Sequence, residues 1–361
     1  MSADVPETRV PEITVRPPKD TTLDPVPGGA LGPSDVRRFL LSRGNSASID
    51  RGFYGLMVLC ALSIFGIVCL IVWQLIERSR LSWKAFGFSF FFHSFFDPVT
   101  RSVAYWDPVN SQFSAAPFIY GTLVSSLLAL IIAVPLAVGV AIFLTEMCPR
   151  KLRGPLAFLT ELLAAIPSII YGLWAMFILV PLLRQYINPR LVQWFGWTRL
   201  FNNDNPTGLG YLAAGVILAI MILPIISSLT REVMLAVPHS QREAVLALGA
   251  TRWEMIRMGV LRNARIGMVG GIILGLGRAL GETMAVTMVI GNTPEIHKSL
   301  LSNGASMASV IANEFTEAVS EMHVSALIEI GLALFIVTII VNAFAQLLVW
   351  VVTRGAPAQT R

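Results

Sequence analysis

Charge is what this chain has least of. Only 14% of its 361 residues are Asp, Glu, Lys or Arg, against about 25% in ordinary soluble domains. With 55% hydrophobic residues and a mean hydropathy of +0.68, too few polar side chains remain to clothe a water-exposed surface. An ordinary soluble globular protein is excluded, and a membrane protein is expected. Cysteine is scarce as well: the three residues Cys60, Cys69 and Cys148 cannot build a disulfide framework and read as packing residues. The four histidines, His93, His239, His297 and His323, have no ligand-like spacing, and no His-Glu-x-x-His occurs. An intramembrane hydrolase is therefore disfavoured, and neither a metal nor a cofactor is expected. The net charge of +5 is spread between apolar stretches rather than gathered on one soluble face, so nucleic acid is not an expected partner.

What the chain does have is long apolar runs. Those at 53–76, 118–145, 162–183, 211–230, 266–290 and 326–353 each suffice to cross a bilayer, which takes about 20 residues. Six spans make an all-α membrane protein. Pro135, Pro167 and Pro224 fall inside three of them, where neighbouring helices can satisfy the freed carbonyls. Residues 1–50 are polar and Pro-rich and cannot bury enough surface to offset ordering, so they read as a disordered tail ahead of a permease-sized membrane domain at 51–355. The first apolar run starts too far in, and is too long, for a signal peptide.

The larger share of the 27 Lys and Arg falls on one side of the spans. They lie in the tail, at Arg150, Lys151 and Arg153, between Arg231 and Arg265, and at Arg354 and Arg361. That bias puts both termini and the loop 231–265 in the cytoplasm. The opposite loop, 77–117, is rich in aromatics (Phe90, Phe91, Phe92, Phe95, Phe96, Tyr105, Trp106), which suits an interfacial segment, with ligand stacking as the alternative. At 306–319, Met307, Val310, Ile311 and Phe315 recur at helical spacing, so a short helix dipping toward the spans is expected.

Within the loop 231–265, Ser240 with Glu243 and Thr251 with Glu254 read as two capping boxes, and Gly249 breaks the chain between them. Two short helices meeting at a turn follow. On the first, the small residues Ala244 and Ala247 beside Leu248 make a low-profile knob that fits a partner's groove, whereas Glu243 could do no more than cap its own helix. A DNA-reading helix-turn-helix is discounted, because spans on both sides hold it against the bilayer.

The fifth span carries Arg278 and Glu282, four residues apart and so on one face of a continuous helix. An arginine at mid-span costs about 2.5–3.5 kcal/mol even on lenient scales, which a partner or water must offset. One reading is a self-neutralising structural ion pair. The other is a translocation path near mid-membrane, in which the guanidinium meets a tetrahedral oxyanion in bidentate fashion, Glu282 moderates it, and Thr283 adds a hydroxyl. Gly270, Gly271, Gly275, Gly277 and Gly281 allow close helix approach, as at an interface with a second permease subunit.

Glu243-Ala244-Val245 with Gly249 resembles the EAA loop of ATP-binding-cassette importer permeases, with Val245 in place of a second alanine, Gly259 for Ile and Arg262 for Pro. The run from Arg278-Ala-Leu-Gly-Glu282-Thr283 to Gly-Asn292, with Trp106-Asp107-Pro108-Val109 and Tyr120-Gly121-Thr122, is similar to the PstC family of phosphate-specific permeases over essentially residues 50–355. The resemblance implies six helices of the type I importer kind, a loop (Glu243, Ala244, Val245, Ala247, Leu248, Gly249) seated in an ATPase subunit, and a path through Arg278 and Glu282. It also implies a PstA-like sister permease, two copies of a PstB-like ATPase and an extracytoplasmic PstS-like phosphate-binding protein, in a bacterial inner membrane. The ATPase must be borrowed, because none of the four lysines (after Pro18, Trp83, Arg150 and His297) stands in the Gly-Lys-Ser/Thr that a phosphate loop needs. The alternatives are a permease for sulfate or molybdate and an ion-coupled carrier relaying protons through Glu282, Glu161 and Glu329. The carrier has no use for an ATPase dock.

Overall fold

The computed structural model describes residues 46–97, 102–202 and 207–353. The chain divides into two compact units, Met1–Val68 and Cys69–Arg361. Helix α1 (Ser46–Arg78) begins in the first unit, and its apolar composition on every face suits a span. The expected tail lies outside the described residues as far as residue 45.

In the second unit, α2 (Arg80–Phe86) leads to two small hairpins, β1 (Phe95–Asp97) with β2 (Ser102–Ala104), and β3 (Trp106–Asp107) with β4 (Gln112–Phe113). Then come α3 (Ala116–Met147), α4 (Arg150–Ala165), α5 (Ser168–Phe195), α6 (Tyr211–Leu235), α7 (His239–Ala247), α8 (Arg252–Leu280), α9 (Met284–Val289), α10 (Met307–Glu314) and α11 (Glu321–Thr353). Among the described residues, six helices are long and apolar enough to cross a membrane: α1, α3, α5, α6, α8 and α11.

Helix α6 is the centre of the core, with Ile217, Leu218, Ile222 and Ile226 buried among α3, α5 and α9. Its main partner, α3, presents a stripe of small residues every fourth position: Gly121, Ser125, Ala129, Ala133, Ala137 and Ala141 are all buried. Such a stripe lets two backbones approach closely in an apolar setting, where dispersion contacts replace a hydrophobic driving force. A second cluster (Phe90, Trp106, Phe113, Phe118, Met307, Leu327) lies at one end of the helices. A third (Met234, Val237, Met255, Ile256, Val260) lies at the end that carries α7.

Three sequence expectations change here. The third span is not 162–183 but Ser168–Phe195, because the chain is extended at Ile166 and Pro167 (ψ 131 and 139). The residue before a proline is pushed out of the helical region, so Pro167 separates α4 from α5 where a kink was expected. The fifth span begins at Arg252 rather than 266 and ends at Leu280 rather than 290; the second short helix of the expected pair is its first turn. The aromatic loop is only partly surface: Phe88 and Phe92 are exposed, but Phe90 and Phe113 are fully buried. The dipping helix at 306–319 is α10, started by a Ser306–Ser309 capping box.

Candidate functional site

At one end, α7 is built as an outward-facing knob on a fixed base. Pro238 supplies the entry (φ −58, ψ 143) and the helix starts at His239, so the expected Ser240–Glu243 capping box does not form. Glu243 is exposed and left for another contact. The Thr251–Glu254 box does form: Thr251 N donates to Glu254 Oε2 at 2.8 Å and Glu254 N to Thr251 Oγ1 at 3.3 Å. Gly249 takes φ +84, a conformation that a side chain would oppose.

The base is held by one arginine. Arg242 donates to the carbonyls of Val237 and Met234, each at 2.8 Å, and pairs with Glu146 at 3.3 Å. Asn263 of α8 donates to Gln241 Oε1 at 2.7 Å. Val245 turns inward, and a Cβ added at Gly259 would lie 3.4 Å from its Cγ2, in ordinary contact. Glu243, Ala244, Ala247, Leu248 and Gly249 are left exposed, with Leu248 at 88%.

Arg278 lies in the last turn of α8. One turn earlier, Gly275 packs against Ile222 and Ile226, in the middle of α6; Gly271 packs on Leu229 and Gly267 on Val233. Arg278 therefore stands level with the middle of α6, although it falls at the end of its own span and not at the centre. The expected glycine interface divides in two: Gly271 and Gly275 are filled by α6 within this chain, whereas Gly270 and Gly277 meet open space.

The shared face of Arg278 and Glu282 is not observed. Helix α8 ends at Leu280, and Gly281 caps it by donating to Gly277 O at 3.3 Å. Glu282 lies in the break, where its Oε1 accepts from Ala285 N at 3.3 Å and starts α9. Thr283 Oγ1 donates to Gly281 O at 3.4 Å, and Thr287 Oγ1 to Thr283 O at 2.7 Å. Among the described residues Arg278 makes no ion pair or hydrogen bond; it is exposed and interacts electrostatically with Tyr171, whose hydroxyl donates to Leu163 O at 2.7 Å. Gly172 admits Met288 and Ala285, so α9 crosses α5 one turn after the break at Pro167. Two discontinuous helices thus meet beside an unpaired guanidinium. Irregular backbone at membrane depth persists where it is covered by protein or lines a watery cavity.

The other motifs prove to be the frame around this break. A Cβ at Gly121 would collide with the carbonyl of Ala305, and Thr122 Oγ1 accepts from Met307 N at 2.9 Å. Gly291 and Asn292 both take positive φ (95 and 51), and Asn292 Nδ2 donates to Thr287 O at 2.8 Å. Trp106 Nε1 donates to Glu314 Oε2 at 2.7 Å, and His323 Nε2 lies 2.9 Å from the same oxygen. Asp107 closes its turn on the amides of Val109 and Asn110. Residues between 291 and 314, far from 106–122 in sequence, are pinned by these bonds.

Comparison with known proteins now bears on this geometry. The family model of the binding-protein-dependent transport system inner membrane component matches residues 133–354. The chain is 47% identical over 292 residues to the phosphate transport system permease protein PstC of Pasteurella multocida (strain Pm70), covering 80% of this chain and 88% of that protein. It is 44% identical over 308 residues to PstC of Haemophilus influenzae (strain ATCC 51907 / DSM 11121 / KW20 / Rd), covering 84% and 94%. Among solved structures, a bacterial ABC transporter involved in import of the acidic polysaccharide alginate superposes with a TM-score of 0.54 at 15% identity, over 85% of this chain and 98% of that one. That similarity concerns the fold alone.

Proposed function

We infer the workings of this chain from one premise: it belongs to the PstC family of phosphate transport system permeases, within the binding-protein-dependent inner membrane components. It is a multi-pass bacterial inner membrane protein and the permease subunit of an ATP-driven phosphate importer. It does not itself hydrolyse ATP; a separate subunit does, and the family works with a partner permease and a binding protein.

The finer assembly is our proposal: a PstA-like sister permease, two PstB-like ATPases and an extracytoplasmic PstS-like protein that hands over the phosphate. Both termini and α7 face the cytoplasm, a reading supported by the distribution of Lys and Arg. In this reading α7 seats in the ATPase through Glu243, Ala244, Ala247, Leu248 and Gly249, while Val245 anchors the helix to its own chain from the inner side. When the ATPase pair closes, the push on α7 passes through Arg242 and Asn263 into the ends of α3, α6 and α8.

The translocation path runs by Arg278, Glu282 and Thr283. The observation that carries this is an exposed arginine at mid-depth with no ion pair or hydrogen bond among the described residues, beside two broken helices. A planar guanidinium fork matches a tetrahedral oxyanion, and its cost at membrane depth is offset when the anion or water is present. Glu282, bound to the start of α9, keeps a negative charge nearby so that phosphate is passed on rather than trapped. The test is labelled phosphate uptake in cells lacking this gene, complemented with wild type or Arg278→Ala at matched membrane abundance and with excess sulfate. Sulfate-resistant uptake by wild type alone supports the path; uptake that survives Arg278→Ala removes Arg278 from it.

A further inference from the structure

At the end of the helices opposite α7, between residues 199–202 and 297–302, lies a cavity of about 270 Å³ lined by Arg199, Asn202, His297, Lys298, Ser299 and Ser302. One water's share of liquid volume is about 30 Å³, so an anion and several waters fit. Arg199 and Lys298 are exposed and make no ion pair among the described residues; His297 is held by Glu295 at 2.9 Å. Among the described residues the lining charges are thus positive, and the neighbouring carboxylate of Glu295 is engaged by His297.

Its floor is rigid. Ser299 Oγ donates to Asn202 O at 2.6 Å, Leu300 N to Leu200 O at 2.8 Å, and Tyr211 N at the head of α6 to Ser302 O at 3.3 Å. On that floor the side chain of Ser302 is 3% exposed, and its Oγ has no hydrogen-bond partner. A buried hydroxyl without a partner costs folding free energy, and Ser302 is among the residues that line a cavity whose free charges, among the described residues, are positive. A hydroxyl donor among unpaired cations is the chemistry of an oxyanion site.

We propose that this cavity is an entry site that holds a phosphate ion before it reaches Arg278, an inference that rests on the phosphate-import function of the family. The site and Arg278 belong to one connected piece of chain: from the break at Gly281 it runs through α9 to the strained Gly291–Asn292 turn and on to Ser302. Lys298 and Arg199 draw the anion in, Ser302 donates to it, and release follows when α9 and its loop shift together.

The test uses the full complex of this chain with its sister permease and ATPase in nanodiscs, carrying Arg278→Ala so that the mid-depth arginine contributes nothing. Equilibrium binding of radiolabelled inorganic phosphate is measured without the binding protein. Ser302→Ala and Arg199→Gln, each added to that background, are expected to weaken binding about tenfold, the scale of one charge-assisted hydrogen bond, while the affinity for phosphate-loaded binding protein is unchanged. Ser302→Ala removes a hydroxyl that has no partner in the fold, so its melting temperature should hold or rise; a purely structural serine would leave phosphate binding untouched. Phosphate binding insensitive to both substitutions overturns the proposal. So does a loss of binding-protein affinity with phosphate binding intact, which would make the cavity a docking surface for protein carboxylates. Uptake by the wild-type complex in proteoliposomes, run in parallel, separates failure of this site from failure of the phosphate-import function.

Discussion

Arg242 and Arg278 set two regions of the protein side by side. At the base of α7, Arg242 is nearly buried and holds two backbone carbonyls and Glu146. At mid-depth Arg278 is exposed and has no such bonds among the described residues. Both carry the same always-ionised group, yet one is an internal fastener and the other is left for something the fold does not supply. In our proposal the difference is one of role: the satisfied arginine transmits force, and the unsatisfied one stands where the anion passes.

The comparison breaks most visibly if Arg242 proves dispensable. Arg242→Ala leaves Glu146 buried without its partner, which typically costs about 3–5 kcal/mol. The melting temperature and membrane abundance of the complex should fall together, whereas Arg278→Ala should move neither. Next in size is Gly304→Ala: the added Cβ would run into the ring of Tyr211, and overpacking of this kind costs about 1–3 kcal/mol. Gly277→Ala, in open space on the same chain, should be silent in melting and felt only in affinity for the sister permease, as read by co-purification.

Smaller effects sharpen the contrast between the knob and its base. Leu248→Ala should leave melting unchanged but weaken ATPase binding about tenfold, roughly 1.4 kcal/mol, as read by titrating the ATPase onto permease in nanodiscs. The smallest change is Glu282→Gln, which keeps an oxygen to accept from Ala285 N and removes only the charge. Phosphate should then dwell longer beside Arg278, lowering the KM and kcat of uptake together; a raised KM would mean that Glu282 does not moderate the path.

The six spans were legible because each rests on a local property, an apolar run longer than a bilayer core is thick. The Thr251–Glu254 cap and the turn at Gly249 were legible for the same reason. The break at Gly281–Thr283 was not: Gly281 stands in a stretch rich in glycines, and others such as Gly271 and Gly275 remain helical, so no local signal singles it out. Ser240 misled because Pro238 starts α7 two residues earlier. The clamp by Arg242 joins residues 96 apart in number through Glu146, and Trp106 finds Glu314 at a separation of 208; no periodicity reports such pairs. The four-residue stripe from Gly121 to Ala141 is visible in the sequence, but it gains meaning only once α6 lies against it.

The central claim, that Arg278 serves the path and not the fold, is tested most directly by phosphate transported per ATP hydrolysed in proteoliposomes holding the whole importer. With Arg278→Ala, ATP hydrolysis stimulated by the binding protein should persist in a complex of unchanged melting temperature while phosphate transport is lost, so that the ratio collapses. An unchanged ratio, with transport and hydrolysis falling together as the complex destabilises, would make Arg278 a structural residue and contradict the claim.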